Sequence, residues 1–489
     1  MMITKLKVSL IYLFALALAI VAHARLAQAT SNVAEPSAGC EQCHSSLSFE
    51  GKQAEQYKVG NDIPTLPFRT KTSWAGMMPL TGPKITNASV FFWLWGQDAT
   101  VSGEDLVIWL AGGPGCSAVM GGMMEQSGPF IYRNIRHYNT TVNPYSWTKV
   151  ANVLYVENPV GVSLSVGDTD NISSEDAAID FVSFLENFFA TFPELCEKKL
   201  WLAGESWAGT MLPYAQAAIL DKQPKHVPEV QGTLVISGLE TTHNVSEDLV
   251  AYQYAKVNQK IMNLTDGDLA GVKDESDRCN LTSYLEQNLH YPPRGRLPGF
   301  SSNDCDPWEA GLNGNFDAYN IAAPEASNED SQAYGAIPNF FRNETVQAYI
   351  HSPPKDDAKR CVRHMFYPDG DQSLAPDRSP DFNRPLLARM IERSKKYMLL
   401  ACEYDYKIIT NGTALALQNL TWNGSQGFSK PPLTPIFDVD KIQRGLATTE
   451  RNLTFATIKG SGHFMGHDLP ALSLAAITEL IGKGDWTKK

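Results

Sequence analysis

After residue 22 this 489-residue chain has no long apolar run. That leaves no second candidate for a membrane-spanning helix. Its end, Gly482-Lys-Gly-Asp-Trp-Thr-Lys-Lys489, lacks the hydrophobic tail that precedes lipid anchoring. Positive charge is scarce. The 41 Lys and Arg stand against 53 Asp and Glu, a formal net charge of -12. The electrostatic footprint of a nucleic-acid or anionic-membrane binder is therefore missing. An acidic environment suits such a chain, because protonation neutralises part of the charge. Repeats at a fixed period and low-complexity runs are absent. No cluster of metal ligands and no nucleotide motif stands out, so no cofactor and no metal are expected.

The N-terminus carries what the rest lacks. Lys5 and Lys7 precede the apolar run from Val8 to Ala22, and Ala27-Gln28-Ala29 follows. That order of charged, apolar and small residues reads as a signal peptide over 1–29, although a cut after Ala24 fits the same pattern. The mature chain is then expected to have no membrane span. Asn-X-Ser/Thr sequons recur at Asn87, Asn139, Asn171, Asn244, Asn263, Asn280, Asn343, Asn411, Asn419, Asn423 and Asn452. Together with the leader they point to a glycosylated, exported surface. The eight cysteines, Cys40, Cys43, Cys116, Cys196, Cys279, Cys305, Cys361 and Cys402, suit an oxidising compartment. Cys40-Glu-Gln-Cys43-His44 also matches a haem-attachment pattern. It lies in a polar segment with no axial-ligand context, so a disulfide is the better reading.

Residues 30–60 are polar and irregular, and read as a linker or propeptide. Apolar runs then alternate with helical patterns. Strands are predicted at 106–111, 153–156, 199–203 and 233–237, and again at 398–401 and 455–458. Ser173-Ser-Glu-Asp176 opens a helix whose apolar residues recur to Phe189. Thr210 to Leu220 and about Ala471 to Leu480 also read as helices. The alternation argues for a mostly parallel sheet with helices on both faces. From about 240 to 355 the rhythm stops in favour of Asn, Asp, Pro and Gly. This stretch reads as an insertion capping the sheet, with its own disulfide between Cys279 and Cys305. A domain from 61 to 489 follows.

Chemistry concentrates at Gly204-Glu-Ser-Trp-Ala-Gly209, between a predicted strand and a predicted helix. Small residues at 204 and 208 allow the sharp turn that lifts a serine hydroxyl above a sheet, and the helix N-terminus favours developing negative charge. Ser206 is therefore the expected nucleophile. On such a scaffold an acid and then a histidine follow along the chain. His463 stands just after the last strand in Gly460-Ser-Gly-His463. Both Glu403 and Asp405 end the 398–401 strand, and either could orient the imidazole. The glycines of Trp109-Leu-Ala-Gly-Gly-Pro-Gly-Cys-Ser117 would bring a backbone N–H to an oxyanion, with a second from Trp207. A phosphate cradle is excluded, because no Lys-Ser/Thr pair follows.

These motifs, with Glu125-Gln-Ser-Gly-Pro-Phe130, Glu157-Asn-Pro-Val-Gly161 and Gly462-His463, stand in the order and approximate spacing of the serine carboxypeptidase family. The resemblance spans about 60 to 485. It implies an α/β-hydrolase fold and an acid-active serine exopeptidase acting on peptide or protein C-termini, secreted or held in a vacuole or lysosome. It implies Ser206, Asp405 and His463 as the triad, favouring Asp405 over Glu403, and Gly113 and Trp207 as the oxyanion hole. Trp109, Gly112, Glu125 and Glu205 match positions that hold the substrate's terminal carboxylate. Cys116 and Cys361 match a disulfide.

Two adjacent carboxyls cannot both ionise cheaply, so at least one of Glu125 and Glu205 is expected to stay protonated and donate to that carboxylate. The chain departs from the family at Ala111, where Asn is usual, at Trp207 for Tyr, at Gly466 for Pro and at Cys402 for Gly. An acyltransferase and a silent binding protein are the competing functions on the same scaffold. An intact triad argues against the second, and the carboxylate clamp favours a peptidase over the first.

Overall fold

The computed structural model describes residues 47–82, 85–98, 103–132, 140–168, 173–298, 305–323, 332–362, 365 and 385–489. The leader, Cys40, Cys43 and the sequons Asn139 and Asn171 lie outside these residues. Every strand named above forms. Six of them, Asn152–Val156, Asp105–Leu110, Lys199–Glu205, Val230–Ile236, Lys396–Cys402 and Leu453–Ile458, lie side by side in that order, all parallel. Antiparallel strands flank them. Ser73–Pro79 and Thr86–Trp95 lie beyond Asn152–Val156, and Gln443–Glu450 and Thr434–Phe437 lie beyond Leu453–Ile458.

The parallel strands are buried along their length because both sheet faces are covered. Along Thr86–Trp95, Val90, Phe92 and Leu94 face one hydrophobic cluster, and Phe91, Trp93 and Trp95 face the other. The first cluster is closed by the helices Ser174–Thr191 and Ala208–Lys222, the second by Pro470–Leu480. The Ser174–Thr191 helix starts where Ser173 accepts the Asp176 N–H, with Glu175 and Asp176 in its first turn.

The boundary expected near residue 61 moves. Leu47 and Phe49 pack on the first cluster, Phe49 makes edge contacts with Trp74 and Phe192, and Val59 is fully buried. Residues 47–60 thus belong to the folded unit. Their few apolar side chains, spaced among polar ones, all point inward.

The insertion is helical and has its own core. Tyr254, Met262, Val272 and Leu281 cluster there with Tyr406, Ile409 and Leu415 from the main domain. Cys279–Cys305 closes it, and Cys116–Cys361 joins two distant parts of the chain. Cys196 and Cys402 form no disulfide among the described residues. Asn87, Asn263, Asn280, Asn343, Asn423 and Asn452 are exposed. Asn244 and Asn411 are half-buried. Asn419 is buried, and its Oδ1 accepts the Leu297 N–H at 3.1 Å. Among the described residues, no helix is long and apolar enough to cross a membrane.

Two buried carboxyls lie in this framework. Burial pushes both Glu157 and Glu240 up to about 8. Glu157 accepts from Ser117 Oγ at 2.5 Å and from the Ala118 N–H at 3.1 Å. Neither oxygen of Glu240 finds a partner among the described residues. Between their ordinary value of 4.5 and about 8, the folded chain holds protons that the unfolded chain has released. Stability should therefore be complete below that ordinary value and fall as pH rises through about 8, each group contributing at most about 1.4 kcal/mol per pH unit. Denaturant titrations across this range should show the decline, and Glu240→Gln should flatten it. An unchanged slope in the variant would contradict the assignment to Glu240.

Candidate active site

Parallel strands end at one edge of the sheet, so the turns that follow them converge there. Ser206 follows Lys199–Glu205 and adopts φ 59°, a left-handed conformation strained for serine. Its carbonyl accepts the N–H groups of Gly209 and Leu239, both at 2.9 Å, which hold the turn before the Ala208–Lys222 helix begins. A Cβ at Gly204 would stand 2.4 Å from the Leu110 carbonyl oxygen, so only glycine lets the strand approach its neighbour there. Gly112 presses on the serine itself, since a Cβ would lie 2.6 Å from Ser206 Cβ.

Asp405 is fully buried in the turn after Lys396–Cys402. Its Oδ1 accepts the N–H groups of Lys407 and Ile408, and its Oδ2 binds His463 Nδ1 at 2.7 Å. Glu403 turns the other way, to the Gly460 N–H. The insertion grips this turn. Tyr254 Oη donates to the Glu403 carbonyl and Trp308 Nε1 to the Tyr406 carbonyl.

His463 is buried, and its N–H donates to the Tyr319 carbonyl at 2.7 Å. A Cβ at Gly462 would meet that carbonyl at 2.3 Å, so the glycine admits the insertion here. Asp468 steadies the loop by accepting from the Gly462 N–H and from Asn320 Nδ2. Burial lowers the imidazole pKa, but Asp405 outweighs it through charge and hydrogen bond, and Glu205 adds to the rise. The net direction is up. With Nδ1 on Asp405, Nε2 is the nitrogen left for a serine hydroxyl. No His463–Ser206 hydrogen bond is formed here. In substrate-free sites such bonds are often long and tighten on binding.

The four residues expected at the carboxylate clamp separate. The stretch Ala118–Ser127 is a π-helix, wound i to i+5 and capped by Ser117. Glu125 and Gln126, neighbours on this helix, meet different partners. Gln126 Nε2 donates to Glu205 Oε2 at 2.7 Å. Glu125 instead accepts a bidentate pair from Arg360, at 2.7 Å from Nε and 2.6 Å from Nη2.

Glu205 is thus hydrogen-bonded to an amide while Glu125 is paired with Arg360. Burial raises Glu205 to about 7, against the opposing effects of His463, Gln126 and Arg360, and the nearby charge of Glu125 adds to the rise. Gly466 is explained as well. A Cβ there would stand 2.7 Å from Gln126 Cβ, so the glycine makes room for the amide. Trp109 is fully buried against Trp147, and its Nε1 has no partner among the described residues.

Sequence reading missed Gln126, Arg360, Tyr319, Phe464 and Asp468. The one signal for Gln126 was its place beside Glu125. Arg360 could have been found only through Cys361, its neighbour, which bonds Cys116 beside the Gly112–Gly113 loop. Among the described residues no group of acidic, His and Cys side chains could hold a metal ion.

Comparison with known proteins agrees with this geometry. The profile of the serine carboxypeptidase family matches residues 66–483. A probable serine carboxypeptidase of Arthroderma benhamiae is 29% identical over 474 residues, covering 89% of this chain and 88% of the relative. Serine-type carboxypeptidase F of Aspergillus niger is 27% identical, covering 89% and 88%. A prohormone-processing carboxypeptidase from Saccharomyces cerevisiae shares the fold. Its crystal structure aligns at TM-score 0.71 and 22% identity, covering 88% of this chain and 96% of that one. The chain belongs to the serine carboxypeptidase family, hydrolases that release residues from the C-termini of peptides.

Proposed function

We propose that Ser206, His463 and Asp405 carry out this hydrolysis through an acyl-enzyme. The observation that carries the reading is the buried Asp405–His463 bond at 2.7 Å, on the same sheet edge as the strained Ser206 turn. Asp405 holds the proton on Nδ1, so Nε2 can accept the Ser206 proton as Oγ attacks the carbonyl carbon. The N–H groups of Gly113 and Trp207 stabilise the oxyanion. The C–N bond then breaks, and His463 returns the proton to the departing amine. Water repeats the sequence on the acyl-enzyme, releasing the shortened peptide and restoring Ser206.

The substrate's terminal carboxylate lies toward Glu205 and the Gly112 N–H. A protonated Glu205 donates to it, and an ionised one repels it. Glu205 and His463 titrate as a coupled pair. Ionised Glu205 helps keep the proton on His463, and protonation of Glu205 relaxes that hold. The active state pairs neutral His463 with protonated Glu205, so His463 protonation removes it on the acid side and Glu205 ionisation removes it as pH climbs through about 7. An acidic, glycosylated chain with a leader suits export to the outside or to a vacuole or lysosome, with peptide C-termini as its substrates.

Release of the last residue from a blocked dipeptide should fall by about three to four orders of magnitude or more in both Ser206→Ala and Asp405→Asn. Near-normal rates in a folded Ser206→Ala variant would remove the nucleophile. KM should rise as pH climbs through about 7, where Glu205 loses its proton. Glu205→Gln keeps a donor that cannot ionise, so this rise should vanish while the acid-side loss due to His463 remains. A variant with the same alkaline rise would place the titration elsewhere.

A further inference from the structure

The Ser206 turn is held by a short stretch that also carries a buried acid. Where the strand Val230–Ile236 ends, the Ile236 carbonyl accepts the Ser206 N–H at 3.0 Å. Three residues on, the Leu239 N–H donates to the Ser206 carbonyl at 2.9 Å. The Leu239 carbonyl in turn accepts Thr210 Oγ1, from the helix that follows the serine, at 3.0 Å. A Cβ at Gly209 would stand 2.7 Å from Leu239 N, so the start of that helix rests directly on this stretch. Both the N–H and the carbonyl of Ser206 are therefore tied to residues 236–239.

Glu240 follows at once. Its side chain folds back over Gly238, where a Cβ would collide with Glu240 Oε1 and with Val235 Cγ1, so the glycine makes room for the carboxyl. Only 3% of Glu240 is exposed, and neither carboxyl oxygen has a partner among the described residues. The titratable group that feels its charge is Tyr397, from the neighbouring strand Lys396–Cys402. The Tyr397 hydroxyl is fully buried and likewise lacks a partner among the described residues. The helix start offers Gly209 and Thr210, which carry no charge. Burial and its own backbone are the influences on Glu240, and no cation is among them.

A neutral carboxyl can stay in such a place at far less cost than an ionised one. A buried charge with no cation and no donors is relieved most cheaply by reaching water. Water is close along the chain, because Thr242 and His243 are exposed. Leu239 and Glu240 share a peptide bond, so movement of the acid outward pulls on the groups that hold Ser206 and Thr210.

We infer that Glu240 is a positioning residue for the nucleophile: while neutral it lets residues 238–240 lie under the Ser206 turn, and once ionised it draws them toward water and unseats the serine. This rests on Ser206 as the nucleophile. The change belongs at about 8, above the Glu205 step at about 7, and it lowers kcat where Glu205 ionisation raises KM.

The test labels Ser206 with a fluorophosphonate, which the serine Oγ attacks at phosphorus with loss of fluoride. The reagent has no carboxylate for Glu205 to repel, and the parent chain carries Glu205→Gln, so the Glu205 step is absent. Labelling is followed from about pH 6 to about pH 9, with circular dichroism at each step. The rate should climb as His463 loses its proton, then fall about ten-fold between about pH 7 and about pH 9 while the fold signal holds. Adding Glu240→Gln should abolish the fall. That amide stays unpartnered and could unfold the chain, so Glu240→Leu, which buries no polar group and cannot ionise, should do the same. Hydrogen exchange of the Leu239 and Gly209 N–H groups, taken relative to the mid-strand Leu202 N–H, should rise over this range only where Glu240 is kept.

An equal fall in either folded Glu240 variant would overturn the assignment. So would a fall that comes only with loss of the circular dichroism signal, because the acid would then act on the whole fold. An exchange ratio that stays flat in the chain with Glu240 would overturn it too. Failure of the triad reading would appear separately, as no labelling of Ser206 at any pH.

Discussion

Parallel register is the constraint from which the site follows. Lys199–Glu205, Val230–Ile236, Lys396–Cys402 and Leu453–Ile458 are neighbours hydrogen-bonded in one direction, so their carboxyl ends share one edge. Segments separated by some two hundred residues meet there without any local signal that they should. Asp405 and His463 are 58 residues apart in sequence and 2.7 Å apart in space. The insertion completes the arrangement. It bonds the turn carrying Asp405 and the loop carrying His463, so the piece that breaks the alternating pattern also holds both residues in place.

Buried acid is the second theme. Glu157, Glu205 and Glu240 are each pushed up by loss of water, to about 8, 7 and 8. The same physics serves two ends. In the framework it favours the folded state at low pH, where nothing is spent on holding a buried charge. Next to Ser206 it keeps the proton on Glu205 up to about 7.

The clamp itself is rebuilt around one local change in winding. The π-helix over Ala118–Ser127 turns Gln126 to Glu205 and Glu125 to Arg360, and Gly466 clears the space that Gln126 fills. Gly466, an isolated departure in the sequence, packs against Gln126 in the structure. An amide cannot ionise, so the facing pair carries one titrating group instead of two. The charge that would have been shared between two carboxyls is balanced by Arg360.

The amino-acid sequence by itself determined the strand–helix alternation, the turn at Ser206 and the glycine loop at 112–113, because each is a local matter of apolar runs, small residues and backbone freedom. Thr86–Trp95, likewise buried on both faces, was not read from the sequence although its run Val90–Trp95 is as apolar as those that were. The residues alone left Glu403 and Asp405 open as the orienting acid and the family resemblance favoured Asp405, which is the one bonded to His463 Nδ1 in the structure. The partners of Glu125, Gln126 and Arg360 were decided only by the tertiary structure. Which way a side chain points from a π turn, and which distant cation meets it, depends on packing between segments more than two hundred residues apart.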